Sequence, residues 1–221
     1  MRYLKMITFK QVSKRYAGGI EALSTVDFSL KRGEMAFLTG HSGAGKSTFL
    51  KLIAMLEKPS SGDIYVNDIH LNHLKKNDIA AHRLGIGITF QSPHLLANKS
   101  VFDNVGLPLQ IQGMTHSMIA KRVHAALDMV GLLSKQKLSP IQLSAGEQQR
   151  VGIARSMVHK PALLLADEPT GNLDPTLAKG IMSLFEQFNQ VGVSVLIASH
   201  DISLIASMRH RILILRGGRL C

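Results

Sequence analysis

With 221 residues, 45% of them hydrophobic, the chain is long enough to bury a substantial core, which excludes a disordered polymer. Its single cysteine, Cys221, excludes an internal disulfide or a multi-cysteine metal site and fits a reducing compartment. A formal net charge of +11 predicts attraction to something acidic, whether anionic lipid, nucleic acid or a protein surface, without choosing between them. The cations are scattered ("SKRY", "LKKND", "AKRVH", "RHRILILRGGR"), which a solvated basic surface explains as well as a binding patch does.

The opening stretch "MRYLKMITFK" alternates like a strand and lacks the sustained apolar region and small-residue cleavage site of a signal peptide, so the chain is expected to stay in the cytoplasm. Strand-like runs then recur at "KMITFK", "TVDFSL", "EMAFLT", "GDIYVN", "GIGITF", "ALLLAD", "VSVLIAS" and "RILILR". The early ones, separated by short turns, predict an antiparallel flank. The unbroken apolar run "ALLLA" is what a strand covered on both faces looks like, and predicts a parallel central sheet. Even the most apolar runs are far shorter than the roughly twenty residues of a spanning helix. Any membrane association must therefore go through a partner or the surface.

From about residue 100 to 155 no strong strand signal appears, while "MIAKRVHAALDMVGLL" has helical periodicity with Gly131 near its stop. A helical insertion follows. There are no internal repeats, low-complexity segments or flexible linkers. The expectation is one domain over 1–221, with a nucleotide-binding core of about 1–90 and 160–221 and a helical subdomain of about 91–159.

Between "EMAFL" and "TFLKLIAML" sits "TGHSGAGKST", which fits the template G-x-x-x-x-G-K-S/T with Gly40, Gly45, Lys46 and Ser47. A strand enters, the chain turns and a helix leaves, so the first backbone N–H groups of that helix point at one place and want an anion. Gly43 and Gly45 allow positive φ and close backbone approach, Lys46 brings a full charge to the outer phosphates, and the Ser47 hydroxyl can ligate Mg²⁺. His41, Ser42, Ala44 and Thr48 complete the candidate phosphate contacts. Further on, "LLLADEPTGNLD" places Asp167 and Glu168 directly after a buried strand, at the end where open α/β sheets bind ligands. Asp167 would hold Mg²⁺, directly or through water, and Glu168 would orient and polarise the water that attacks the terminal phosphate. In "QLSAGEQQRVGIARSMV" a tight turn enters a helix whose N-terminus makes a second anion site around Ser144, Ala145 and Gly146, and Ser144 with Glu147 is also a capping box.

Together these motifs resemble the ATP-binding cassette superfamily, whose signature usually reads LSGGQ. The resemblance covers the whole chain and implies a P-loop NTPase cassette fold of the α/β class, with a parallel central sheet, an antiparallel β flank and a helical subdomain, and ATP hydrolysis with Mg²⁺. It also implies roles for residues that would be mute alone. Tyr16 in "SKRYAGG" matches the aromatic that stacks on adenine, Gln91 in "TFQSPHLL" the glutamine that touches Mg²⁺ and the attacking water, and His200 in "IASHD" the histidine on the γ-phosphate. Asp174 in "GNLDPT" matches the loop that communicates across a dimer, although Asp before Pro175 is also a plain helix cap. Two such chains would meet head to tail around two ATP molecules, so that Ser144 and Gly146 of one complete the site at Lys46 and Ser47 of the other. Ala145 departs from the pattern, standing where the signature normally has glycine. It is expected to be helical already, which makes alanine harmless.

Within the superfamily, the wording around the motifs ("GEMAFLTGHSGAGKSTFLKLI", "VFDNVGLPL", "IQLSAGEQQRVGIAR", "LLADEPTGNLD") resembles the bacterial cell-division ATPases, and His41 is part of that likeness. The resemblance implies an FtsX-like integral membrane partner, a peripheral place on the cytoplasmic face of the inner membrane at the septum, and control of cell-wall hydrolases. A coupling helix of the partner would dock on residues 91–109, where Pro93, Leu95 and Leu96 offer apolar contact. The neighbouring alternative is the ATPase of a lipoprotein-releasing or macrolide-type exporter. A soluble cassette acting on nucleic acid would suit the charge but normally carries a long coiled coil or a second cassette, so no nucleic acid is expected. A non-catalytic scaffold would have lost Lys46, Glu168 or His200, and all three are present.

Overall fold

Two sheets and seven helices organise the computed structural model, which describes residues 5–171 and 173–221. Alternating apolar residues fold the N-terminus into a long hairpin of β1 (Lys5–Arg15) and β2 (Glu21–Lys31). β4 (Ser61–Val66) pairs with the other edge of β1, and the short β5 (Ile69–His70) closes an antiparallel sheet of order β2-β1-β4-β5.

The second sheet is built from β3 (Met35–Thr39), β6 (Ile86–Thr89), β7 (Leu163–Asp167), β8 (Ser194–Ala198) and β9 (Arg211–Arg216), all parallel, with β10 (Arg219–Leu220) folded back on β9. Its order is β10-β9-β3-β8-β7-β6. Every residue of β3 and β8 is buried, as their unbroken apolar sequence requires of strands covered on both faces.

Successive side chains of these strands go to two different cores. Ala36, Leu38, Leu163, Leu165 and Leu196 join a core shared with the antiparallel sheet and α1 (Lys46–Ile53). Its centre is aromatic: Phe9 stacks on Phe49 at 4.5 Å, and Phe28 meets Phe49 edge-on at 5.2 Å. Phe37, Leu164, Val195 and Ile197 join the other core, under α3 (Val101–Ile111), α4 (His116–Met129), α5 (Ala145–Met157) and α6 (Pro175–Gln190). The remaining helices are α2 (Lys76–Leu84) and α7 (Ile202–Ser207).

The helical stretch after residue 100 opens on a cap that the sequence reading did not name and stops near Gly131, as expected. Ser100 and Asp103 form a capping box at the start of α3. α4 ends at Met129, and Gly131 just beyond it, at φ +70, turns the chain so that Leu132 N–H reaches back to Leu127 O at 2.8 Å.

The strand order positions the chemistry. β8 lies between β3 and β7, with Leu38 and Asp167 both in register with Ala198, so the loops leaving these three strands open side by side at the carboxyl edge of the sheet.

Removing the ring at the aromatic centre should be felt by the whole chain. Phe49→Ala is expected to cost about 3–5 kcal/mol in chemical denaturation, whereas Ile141→Ala, at a side chain 84% exposed, should stay within about 0.5 kcal/mol.

Candidate nucleotide site

The loop between β3 and α1 is held where its glycines have no side chain. A Cβ on Gly40 would stand 2.3 Å from Leu215 O of β9, and one on Gly45 2.4 Å from Ala22 O of β2. Gly45, at φ +106, is the N-cap of α1, and it offers no side-chain cap to the helix. The first turn of α1 carries no acidic residue. Its leading N–H groups and the positive end of its dipole thus face the loop, a ready anion site.

Lys46 is buried, and its Nζ donates to Gly40 O at 2.8 Å and His41 O at 3.3 Å. It also lies 3.7 Å from Glu168 Oε1. The other carboxylate oxygen, Glu168 Oε2, lies 2.8 Å from His200 Nδ1 and accepts from the His200 backbone N–H at 3.3 Å. Residues from the ends of β3, β7 and β8 therefore converge as Lys46, Glu168 and His200. Glu168 itself sits in left-handed backbone, φ +49, pinned by its N–H on Ala198 O and by Gly171 N–H on its carbonyl. Such a conformation in a glutamate is costly and persists because the surrounding bonds determine it.

Asp167 lies beside Ser47 in a different setting. Its Oδ1 is buried without a hydrogen-bond partner. Burial pushes its carboxyl above the usual range, opposed by a hydrogen bond with Ser47 and reinforced by the neighbouring Glu168. An orphaned carboxylate oxygen next to a hydroxyl is a set of hard oxygen donors, which fits Mg²⁺.

A 720 Å³ cavity joins these groups. It is lined by the phosphate loop from His41 to Thr48, by Gln91, Glu168 and His200, and at its far end by Tyr16 with Ile20, Glu21 and Ala22. The Tyr16 hydroxyl is 3.3 Å from Thr48 Oγ1, and Lys14 Nζ stands 4.8 Å from the ring centroid. Lys14 packs on the ring, and the ring lines the cavity, where it can stack on a flat ligand. Ile20 and the first two residues of β2, Glu21 and Ala22, escaped sequence reasoning, because only the hairpin closure carries them to the cavity. Gln91 is set against the loop after Glu168, since a Cβ on Gly171 would stand 3.0 Å from Gln91 Nε2.

The signature residues are elsewhere. Ser144 caps α5, accepting from Glu147 N–H at 3.4 Å, while Glu147 accepts from Ser144 N–H at 3.0 Å and pairs with Lys135. Hydrogen bonding to Lys135 and the Ser144 backbone holds the Glu147 carboxyl below its usual range. Ala145 is the first helical residue, as expected, and its φ is not positive. Asp174 caps α6, accepting from Thr176 and Leu177 N–H at 3.0 Å each. A Cβ on Gly146 would stand 3.1 Å from Leu177 Cδ1, so the starts of α5 and α6 pack together. Ser144, Ala145, Gly146, Glu147 and Asp174 thus form one cluster, and none of them lines the cavity of its own chain.

α5 also grips the segment after Gln91. Gln149 Nε2 donates to Phe90 O at 3.1 Å, Arg155 donates to His94 O at 3.2 Å and to Pro93 O, and a Cβ on Gly152 would stand 2.8 Å from Pro93 Cβ. The sequence reading passed over Gln149, Gly152 and Arg155. Gln149 is only 4% exposed, on the inner face of α5, a burial that its residue type does not announce. Leu95, expected to offer surface contact, is partly buried against the helical core, whereas Leu96 is 40% exposed.

The model of the ABC transporter family matches residues 23–171. The cell division ATP-binding protein FtsE of Escherichia coli K12 is 57% identical over 97% of both chains, and that of Haemophilus influenzae is 50% identical over 97% of this chain and 99% of its own. The chain belongs to the FtsE family of ATP-binding cassette proteins. Among solved structures, the dimeric cassette MJ0796 in a post-hydrolysis state bound to ADP and Pi superposes with a TM-score of 0.90 at 36% identity, over 97% of this chain and 96% of the other. Like the rest of the cassette family, this FtsE-family chain is an ATPase.

Two outcomes follow for the site. In Ala145→Gly, helix propensity is lost and no backbone strain is relieved, so stability should fall by up to about 1 kcal/mol with ATP turnover changed less than about twofold; a large gain in turnover would contradict the helical placement. Asp167 has a raised folded-state pKa, so its unfolded form ionises first as pH rises, and the chain loses stability between the ordinary carboxylate range and the raised value. Asp167→Asn should therefore raise the ligand-free Tm at pH 7, with a gain that shrinks toward pH 4, while weakening Mg²⁺-dependent nucleotide binding.

Proposed function

We propose that the chain is the ATP-hydrolysing subunit of a membrane cell-division complex, a reading carried by the convergence of Lys46, Glu168 and His200 beside the orphaned carboxylate of Asp167. The triphosphate would lie against the N-terminus of α1, with the Gly40–Thr48 backbone and Lys46 neutralising its outer phosphates and the purine on the ring of Tyr16. Ser47, Asp167 and Gln91 would hold Mg²⁺, which would supply positive charge to stabilise the phosphate oxygens during transfer. Glu168 would accept the proton of the attacking water, and its bond to His200 fixes the carboxylate toward the γ-phosphate position. His200 would in turn donate to that phosphate.

The site is half of a pair in this reading. The Ser144–Glu147 helix start and Asp174 form a cluster outside their own cavity, and a second copy arranged head to tail would bring the Ser144 hydroxyl and the backbone N–H groups of the α5 start to the γ-phosphate side. ATP would then hold a homodimer closed and hydrolysis would release it.

No helix among the described residues is long and apolar enough to cross a membrane, so contact with the inner membrane would run through an FtsX-like integral partner. Because α5 grips residues 90–94, a partner helix docked at Pro93 and Leu96 would sense the movement of the signature helix and, through it, the state of Gln91. Septal location and regulation of cell-wall hydrolases belong to this proposal.

Glu168→Gln should bind ATP and lose hydrolysis by about 10²–10⁴-fold. Used as bait in detergent-solubilised membranes, it should retain an FtsX-like permease. Recovery of an exporter permease instead would reassign the chain to efflux or lipoprotein release, and recovery of nucleic acid alone would overturn the membrane reading. Leu96→Asp should abolish permease co-purification and spare ATP binding, and unchanged co-purification would place the docking surface elsewhere.

A further inference from the structure

α4 carries two apolar stripes where a surface helix needs one. Ile119, Val123 and Leu127 are buried in the helical core. Met118, Ala125 and Met129, on the neighbouring face, line an open groove of 840 Å³ whose far wall is made by Met157 of α5, Phe188 of α6 and Val191 in the turn after it. Met118, Met129 and Val191 are 48%, 53% and 79% exposed. Other exposed apolar side chains need no explanation singly, but three around one concavity mark a contact surface.

The charge of the groove is one-sided. Lys121, Arg122 and Lys160 line it, and no acidic residue does. The stripe from Met118 to Met129 runs about 16 Å, three helical turns. Its floor is set low by small residues, Ala125, Ala154 and Ala162 among them, so another helix backbone can approach closely. The methionines supply an adaptable apolar lining of the kind that suits an amphipathic helix.

We propose that this groove binds an amphipathic helix of a protein partner, its apolar face between α4 and the end of α6 and its acidic flank against Lys121, Arg122 and Lys160. A second copy of the chain presenting this same face is disfavoured, because it would set Lys121, Arg122 and Lys160 against their own counterparts. A bilayer is disfavoured by shape, since a recessed groove between ridges does not meet a plane. The surface is separate from the nucleotide cavity and shares no lining residue with it.

The test is selection of binders from a random 16-residue peptide library displayed on phage, with the wild-type chain as target, followed by anisotropy titration of the selected peptides. The expected peptides are acidic, with apolar residues at i, i+3, i+4 and i+7, and their affinity falls with added salt. Ala125→Glu, at an exposed helical position where glutamate is tolerated, should weaken them by at least about tenfold, and Arg122→Glu with Lys160→Glu by a similar factor. Thermal unfolding of each variant, unchanged from wild type, shows that the loss is local. Selected peptides without an acidic amphipathic pattern, no selected peptides, or binding indifferent to Ala125→Glu would overturn the proposal. Sedimentation with phosphatidylglycerol vesicles that depends on Arg122 and Lys160, with no peptide binding, would overturn it in favour of a lipid surface.

Discussion

The geometry of the site rests on two places where backbone touches backbone. At Gly40 and Gly45 the phosphate loop lies so close to the carbonyls of Leu215 and Ala22 that any Cβ would overlap them. β9 on one side and β2 on the other thus fix where α1 begins and which way its unpaired N–H groups point. Lys46, Ser47 and Thr48 inherit their positions from that clamp. The β1–β2 hairpin that supplies Ala22 also carries Tyr16, so the end of the cavity that would take a base is built by the element that holds the end that would take phosphate.

Glu168 and His200 follow the neighbouring strands β7 and β8, and their mutual bond together with the left-handed backbone of Glu168 leaves the carboxylate little choice of direction. The residues around Gln91 are held differently. They are tied to α5 by three side-chain-to-carbonyl contacts and by the packing of Pro93 into the space left by Gly152. Movement of the signature helix therefore moves the Gln91 segment with it. This gives a physical route by which closure of a dimer and contact with a membrane partner would report on each other.

Much of this was legible in the sequence, for reasons that differ by element. The phosphate loop was readable because its glycines answer a steric demand and its spacing is fixed by one turn of chain. The strands "EMAFLT", "ALLLAD" and "VSVLIAS" were readable because burial on both faces leaves no polar alternation. Ala145 could be placed as helical from its position after a capping serine. Two-residue strands such as β5 and β10 were not readable, since their pairing is decided by β4 and β9 rather than by their own composition. Nor was the inward turn of Leu95 beside an exposed Leu96, because one leucine facing the core and the next facing out is a matter of loop geometry. The clasp of Gln149 and Arg155 on residues 90–94 was hidden for a related reason: a side chain bonding to a carbonyl places no demand on the residue type it meets.

The central claim is that the Ser144 cluster, remote from the cavity in its own chain, completes the cavity of another. Light-scattering mass of the Glu168→Gln chain tests it most directly, measured with and without saturating ATP. The account predicts the 24.1 kDa monomer without nucleotide, a mass close to twice that with ATP, and no dimer when Ser144→Arg is added although ATP still binds. A monomer at full ATP occupancy, or an ATP-dependent dimer indifferent to Ser144→Arg, would contradict it.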